Sequence, residues 1–248
     1  MFKKPLFAYV VLFNLFFNLI PFQFSAFALV DRTISETTVI GYGGENLKVS
    51  SISQDYMVEL FDELKANKSI PFRYIDDGCF ARAHKMSILL EDKGVITVKT
   101  FLIGDLRMID PSHPKGFVDW WYHVAPSVFV KEVGALVMFD PSASDEPTTR
   151  KDWVYNLTSH PSGSVDQDFE TVRFIYGPDD VLYNPNPKSY SKSDIVDMDE
   201  ALAYFTEMLS ERLGLGEGPV KLYGSGNSPN SPRFHRLSPL KTKNIFNK

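Results

Sequence analysis

The spacing of apolar positions changes several times along the chain. In SQDYMVELFDELKANKS, Met57, Leu60, Phe61 and Leu64 recur three and four residues apart, which predicts a helix with one buried stripe. Ser53 suits its start, and Asn67-Lys-Ser followed by Pro71 ends it. The same period returns in DDGCFARAHKMSILLEDKG, where Phe80, Ala83, Met86, Ser87 and Leu90 share one side. Asp76 or Asp77 is expected to cap that helix and Gly94 to close it. On this reading Arg82 and Lys85 are solvated. A third helix is predicted in SDIVDMDEALAYFTEMLSERLG, from Ser193 or Asp194 to Gly214, with Ala201, Phe205, Met208 and Leu209 facing inward.

The remaining apolar stretches are extended. TTVIGYGG reads as a strand ending in a glycine turn, and VITVKTFLIG as a strand over Val95 to Gly104. DLRMIDPSHPKG reads as a loop. FVDWWYHVAPSVFV and ALVMFD, joined by KEVG, form an antiparallel hairpin. Residues 142–193 are rich in Ser, Pro, Asp and Asn and read as irregular, except for a strand near ETVRFIYG. Strands grouped behind a helix, without β-α alternation, predict an α+β fold.

Both ends differ from the middle. Lys3 and Lys4 precede a stretch free of charge up to Val30, which closes on Ala26-Phe-Ala28. This is the pattern of a signal peptide over residues 1–28, although the apolar run is also long enough to span a bilayer. Residues 216–248 are rich in Gly, Ser, Pro and Asn and read as a disordered tail. Residues 29–215 are left for one catalytic domain. The chain carries 26 basic and 31 acidic residues, net −5. Removing residues 1–28 takes two lysines and leaves net −7. No basic field points to nucleic acid. Once the signal is cut, no stable membrane association is expected.

There is one cysteine, Cys79. Exported proteins usually pair their cysteines, so a lone one is either a reactive thiol or an inert core residue. Its place in the first turn of a helix favours the first reading. Free N–H groups and the positive end of the helix dipole favour a thiolate and can hold an oxyanion. A thiolate needs a base, and the base an orienting acceptor. His84, five residues on, points about 140° away on a helix. His113 and His160 lie in loops and His235 in the tail. His123 is the one histidine within a strand. If 130 pairs with 135 or 133, Asp140 shares a face with His123, opposite it or one diagonal step away. The residues leave open both a Cys79–His123–Asp140 triad and a core histidine beside a turn aspartate.

DDGCFARAHKM, WWYHVA and FDPS resemble the bacterial protein-glutaminase family, over roughly Pro71 to Ser142. The resemblance implies a transglutaminase-like α+β core, distantly similar to papain-like proteases. It implies hydrolysis of glutamine side-chain amides in peptides and proteins to glutamate and ammonia, with no cofactor and no metal. It places the nucleophile on Cys79, the histidine on His123 and the aspartate on Asp140. Gly78, Asp77 and Trp121 are candidate substrate contacts, Trp121 because it shares strand parity with His123. The expected partners are glutamine-bearing proteins, and the expected state is an exported, periplasmic or extracellular monomer. Secreted members of that family carry disulfides and a long pro-segment; here one cysteine excludes an internal disulfide, and the stretch ahead of the first helix is short. A transglutaminase-like or papain-like enzyme that crosslinks or cleaves proteins is the alternative, and a non-catalytic exported binding protein is another.

Overall fold

The computed structural model describes residues 29–111 and 113–214. In chain order the elements are β1 (Ser35–Ile40), β2 (Asn46–Ile52), α1 (Gln54–Lys65), α2 (Cys79–Glu91), β3 (Val98–Ile109), β4 (Phe117–Val130), β5 (Ala135–Met138), β6 (Thr148–Thr149), α3 (Arg150–Thr158), β7 (Ser164–Val172), α4 (Asp180–Tyr183) and α5 (Lys192–Arg212). The fold is α+β. The expected signal segment and tail lie outside the described residues.

The sheet runs β1-β2-β4-β3-β7, with β5 and β6 attached beside β4. All pairings are antiparallel except a two-residue parallel contact between β2 and β4. The Tyr42 N–H just past β1 donates to the Glu170 carbonyl of β7 at 2.9 Å. β4 pairs with β3 along its length. On its other side it meets β5, only from Ser127 onward, while β2 joins Phe129 and Val130 on the β3 side, past the end of the β3 pairing. The segment before Pro126 therefore has one flank without a strand among the described residues, and the candidate site forms on that flank.

Helices cover both faces. Cys79 and Ala83 of α2 pack on Phe101, Val124 and Phe169. Trp153 and Leu157 of α3 pack on Leu102, Leu106 and Ala125, from the opposite face. α5 lies against the outer side of α2 through Ala201, Leu202 and Phe205. α1 joins Met86 and Leu90 of α2 with Val128 and Val130 in a further cluster.

Several expectations hold as stated. Ser53 Oγ caps α1 by accepting from the Tyr56 N–H. The hairpin turn falls within Lys131–Gly134, with Val130 opposite Ala135. Others are corrected. DLRMI continues β3 rather than forming a loop. β2 adds a strand inside the expected entry segment, and α3 adds a helix inside the region expected to be irregular. Neither aspartate caps α2. The N-cap is Gly78 at φ 84°, with no side-chain cap, and the Asp77 carboxylate accepts the Gly78 N–H at 2.6 Å. A residue with a Cβ is strained at that φ. A Cβ on Gly78 would also fall 2.4 Å from the Phe205 ring. Arg82, expected in solvent, is fully buried.

A β-bulge in β3 shapes the upper part of the sheet. Ile103 pairs with Tyr122 but Leu106 pairs with Trp120, so β3 carries one extra residue there. Gly104 sits at this irregularity, where a Cβ would meet the Ser164 carbonyl oxygen at 2.1 Å.

Candidate active site

Cys79 is the first residue of α2 and is buried. His123 is held at 1% exposure in β4 opposite Leu102, so its ring leaves the sheet on the α3 side. Cys79 arrives from the α2 side. The two meet across the flank of β4 that no strand covers. His123 Nε2 bonds Asp140 Oδ2 at 2.7 Å, with the aspartate at 4% exposure. Asp140 follows β5, and the observed register carries it one diagonal step from His123, as the hairpin parity requires.

With Nε2 engaged by Asp140, Nδ1 is the ring atom left for the thiol. Nδ1 is buried and makes no hydrogen bond of normal length and angle. The thiol nevertheless raises the proton affinity of the ring. The sulfur–imidazole contact is thus close but loose, as catalytic contacts often are before substrate tightens them. Burial disfavours the His123 cation, but Asp140 outweighs it by charge and hydrogen bond, and its pKa rises to about 9. Burial likewise raises Asp140, yet His123 and then Trp153 hold its carboxyl below the usual range.

Trp153 on α3 was not singled out by the sequence. Its Nε1–H donates to Asp140 Oδ2 at 2.8 Å, and its ring lies 5.5 Å from the imidazole. Trp120 stacks on His123 at 4.4 Å and 10°, and its own N–H donates to the Ile75 carbonyl at 2.9 Å. Two indoles therefore pack against the imidazole. Tyr122 is a second addition. Burial and then the neighbouring Cys79 push its hydroxyl well above the ordinary tyrosine range, so the O–H stays protonated beside the sulfur. The one signal for both Trp120 and Tyr122 was adjacency to His123.

The candidate substrate contacts fare differently. Gly78 lies beside the nucleophile as the helix cap. Asp77 is exposed next to it. Trp121 is 42% exposed and packs on Tyr122 at 4.5 Å, but the bulge breaks the alternation and Trp120 takes the place beside His123. His84 is buried behind the site, bonded through Nδ1 to Lys99 Nζ at 2.7 Å. Among the described residues no group of three His, Cys, Asp or Glu could hold a metal ion.

The comparisons with known proteins point to a hydrolase of the glutaminase class. The family described as Glutaminase matches residues 57–157, a span that holds Cys79, His123, Asp140 and Trp153. A crystal structure of protein-glutaminase superposes with a TM-score of 0.51 at 27% identity, over 70% of this chain and 93% of that one. The NMR structure of protein-glutaminase from Chryseobacterium proteolyticum gives 0.51 at 29% identity, over 67% and 89%. A crystal structure of pro-protein-glutaminase gives 0.50 at 29% identity, over 66% of this chain and 58% of that one. No curated protein matches. The family match and these structures together support kinship with the protein-glutaminases. The similarity extends beyond Ser142, where the sequence motifs end.

Proposed function

We propose that this protein hydrolyses the side-chain amide of glutamine in proteins, giving glutamate and ammonia through a thioester on Cys79. The sulfur attacks the amide carbon, and the carbonyl oxygen becomes an oxyanion at the start of α2. Free N–H groups of the first turn face that oxygen. The Tyr122 O–H, beside the sulfur, supplies a second donor. His123 gives its proton to the departing nitrogen as the C–N bond breaks, and ammonia leaves. His123, now neutral, takes a proton from water as the water attacks the thioester carbon. The C–S bond then breaks, releasing glutamate, and the His123 proton remains beside the regenerated sulfur. Asp140, fixed by Trp153, holds the imidazole in one orientation throughout. Asp77 and Trp121, exposed beside the site, contact the incoming chain. No cofactor enters the scheme.

The protein acts as an exported monomer, periplasmic or extracellular. The leader-like residues 1–28 support export, and no helix among the described residues is long and apolar enough to cross a membrane. The observation that carries the reaction is the buried His123–Asp140 pair at 2.7 Å set against Cys79 at a helix start, in a chain with this kinship.

Intact-mass analysis of a glutamine-rich protein tests it. Deamidation adds about one mass unit per site with matching ammonia release, whereas crosslinking would raise oligomer mass and proteolysis would give fragments. Cys79→Ser should abolish ammonia release with the fold intact, and retained activity would remove Cys79 as the nucleophile.

A further inference from the structure

Arg82 stands three residues after Cys79 on α2, at 1% exposure. A buried guanidinium is ordinarily matched by a carboxylate. This one is in no ion pair among the described residues. Nη1 donates to the main-chain carbonyls of Tyr74 at 2.8 Å and Asp77 at 2.7 Å. Nη2 is buried without a partner. The same Nη1 lies 3.2 Å from where a Gly78 Cβ would stand, directly under the helix cap. The ionisable groups that face the guanidinium are Cys79 from its own helix, Asp140 from the end of the hairpin, Asp77 from the preceding loop and Tyr122 from β4, with Cys79 acting most strongly. From α5 the neighbour at this cap is the apolar Phe205.

Asp140 already has His123 and Trp153 for company, and Tyr122 stays neutral. The Asp77 side chain has no ion pair among the described residues either, but it is exposed and accepts the Gly78 N–H. The sulfur is the buried facing group without a fixed countercharge. We propose that Arg82 is that countercharge, a positioning residue that acts through Cys79 and holds its sulfur as an anion within the buried site. Resting on the thiol mechanism proposed above, this sets a fixed charge beside the mobile one on His123. The imidazole gives up its proton to ammonia and regains one from water. A guanidinium does not titrate in that range, so it faces the sulfur throughout, both when the sulfur attacks and when the thioester C–S bond breaks and the electron pair returns to sulfur. The two carbonyl bonds fix the guanidinium to the loop that delivers Cys79, which keeps charge and sulfur in register.

The test uses no substrate. Alkylation of native Cys79 by iodoacetamide at pH 7 is timed in the wild type, Arg82→Lys and Arg82→Gln, with circular dichroism and thermal unfolding alongside. The expected result is a rate at least tenfold lower in Arg82→Gln and within about threefold of the wild type in Arg82→Lys. Equal rates in all three, or Lys as slow as Gln, would overturn the proposal and leave Arg82 a structural tie for the loop. If Arg82→Gln does not fold, Arg82→citrulline decides, because it keeps N–H donors for both carbonyls and removes only the charge: a slow thiol supports the countercharge, and a wild-type rate rejects it. Ammonia release by the wild type reports separately on the reaction. A protein that releases none but shows Arg82-dependent alkylation would sink the glutaminase proposal and leave the charge pairing standing.

Discussion

At the scale of single residues, the site depends on how firmly Asp140 is held. Its Oδ2 accepts from both His123 and Trp153. Trp153→Phe keeps an aromatic ring against the imidazole and removes one N–H. A hydrogen bond to a charged group contributes about 1.5–3 kcal/mol, so kcat should fall on the order of 10-fold. KM should stay near the wild-type value, because Trp153 is buried and out of reach of substrate. Steady-state ammonia release checks this, and an unchanged kcat would remove Trp153 from the positioning set. The placement of Cys79 at a helix start and of His123 beside Asp140 was legible in the sequence, because helix start, strand parity and hairpin register each leave a local trace. Trp153 was not, since nothing local ties a tryptophan on a later helix to an aspartate thirteen positions earlier. Arg82 failed for the opposite reason. Its helical neighbours read as a mixed surface, and only the arrival of α5 and the 74–78 loop buries it.

At the scale of elements, α2 owes its geometry to Gly78. The left-handed cap turns the chain so that Cys79 becomes the first helical residue, and Phe205 of α5 fills the space a side chain would need. Gly78→Ala meets both a backbone cost of about 1–2 kcal/mol and a contact the stacked Tyr74–Phe205 pair, 5.1 Å apart, cannot easily relax. It should lower stability by roughly 2–3 kcal/mol and reduce activity beyond that, because the sulfur moves with the cap. Denaturant unfolding and ammonia release together check the two effects. The elements missed in the sequence share a cause. β2 places buried serines, Ser50 and Ser51, inside its run, which hides its strand character. Ser50 is satisfied by long-range bonds to Ile96. α3 buries only Trp153 and Leu157 over nine residues, too short a stripe to stand out. The extension of β3 past Gly104 depends on a bulge, which breaks the alternation that would have revealed it.

At the scale of the whole molecule, the His123–Asp140 pair joins the sheet to the end of the hairpin and links stability to pH. The folded-state pKa of His123 is raised to about 9, so its contribution is full below its ordinary value of 6.5 and is lost as pH rises through 9. Asp140 is lowered, so its contribution is present above the ordinary carboxylate value of 3.8 and is lost as pH falls below that. The pair therefore stabilises most between about pH 4 and 6.5, by up to about 3 kcal/mol for a rise of this size. A buried lysine opposes this trend. Lys99 is lowered to about 7 by burial, so its unfavourable charge weighs on the fold below that pH and fades as pH climbs from 7 towards 10.5. A stability profile of the wild type alone would mix the two. Asp140→Asn removes the carboxylate and leaves Lys99 in place, so the difference between the two proteins isolates the pair. Thermal unfolding at pH 5, 7 and 9.5 should show a gap widest at pH 5, smaller at 7 and nearly closed at 9.5. A gap that stays constant across this range would mean that His123 is neutral in the folded protein and that Asp140 stabilises by hydrogen bonding alone.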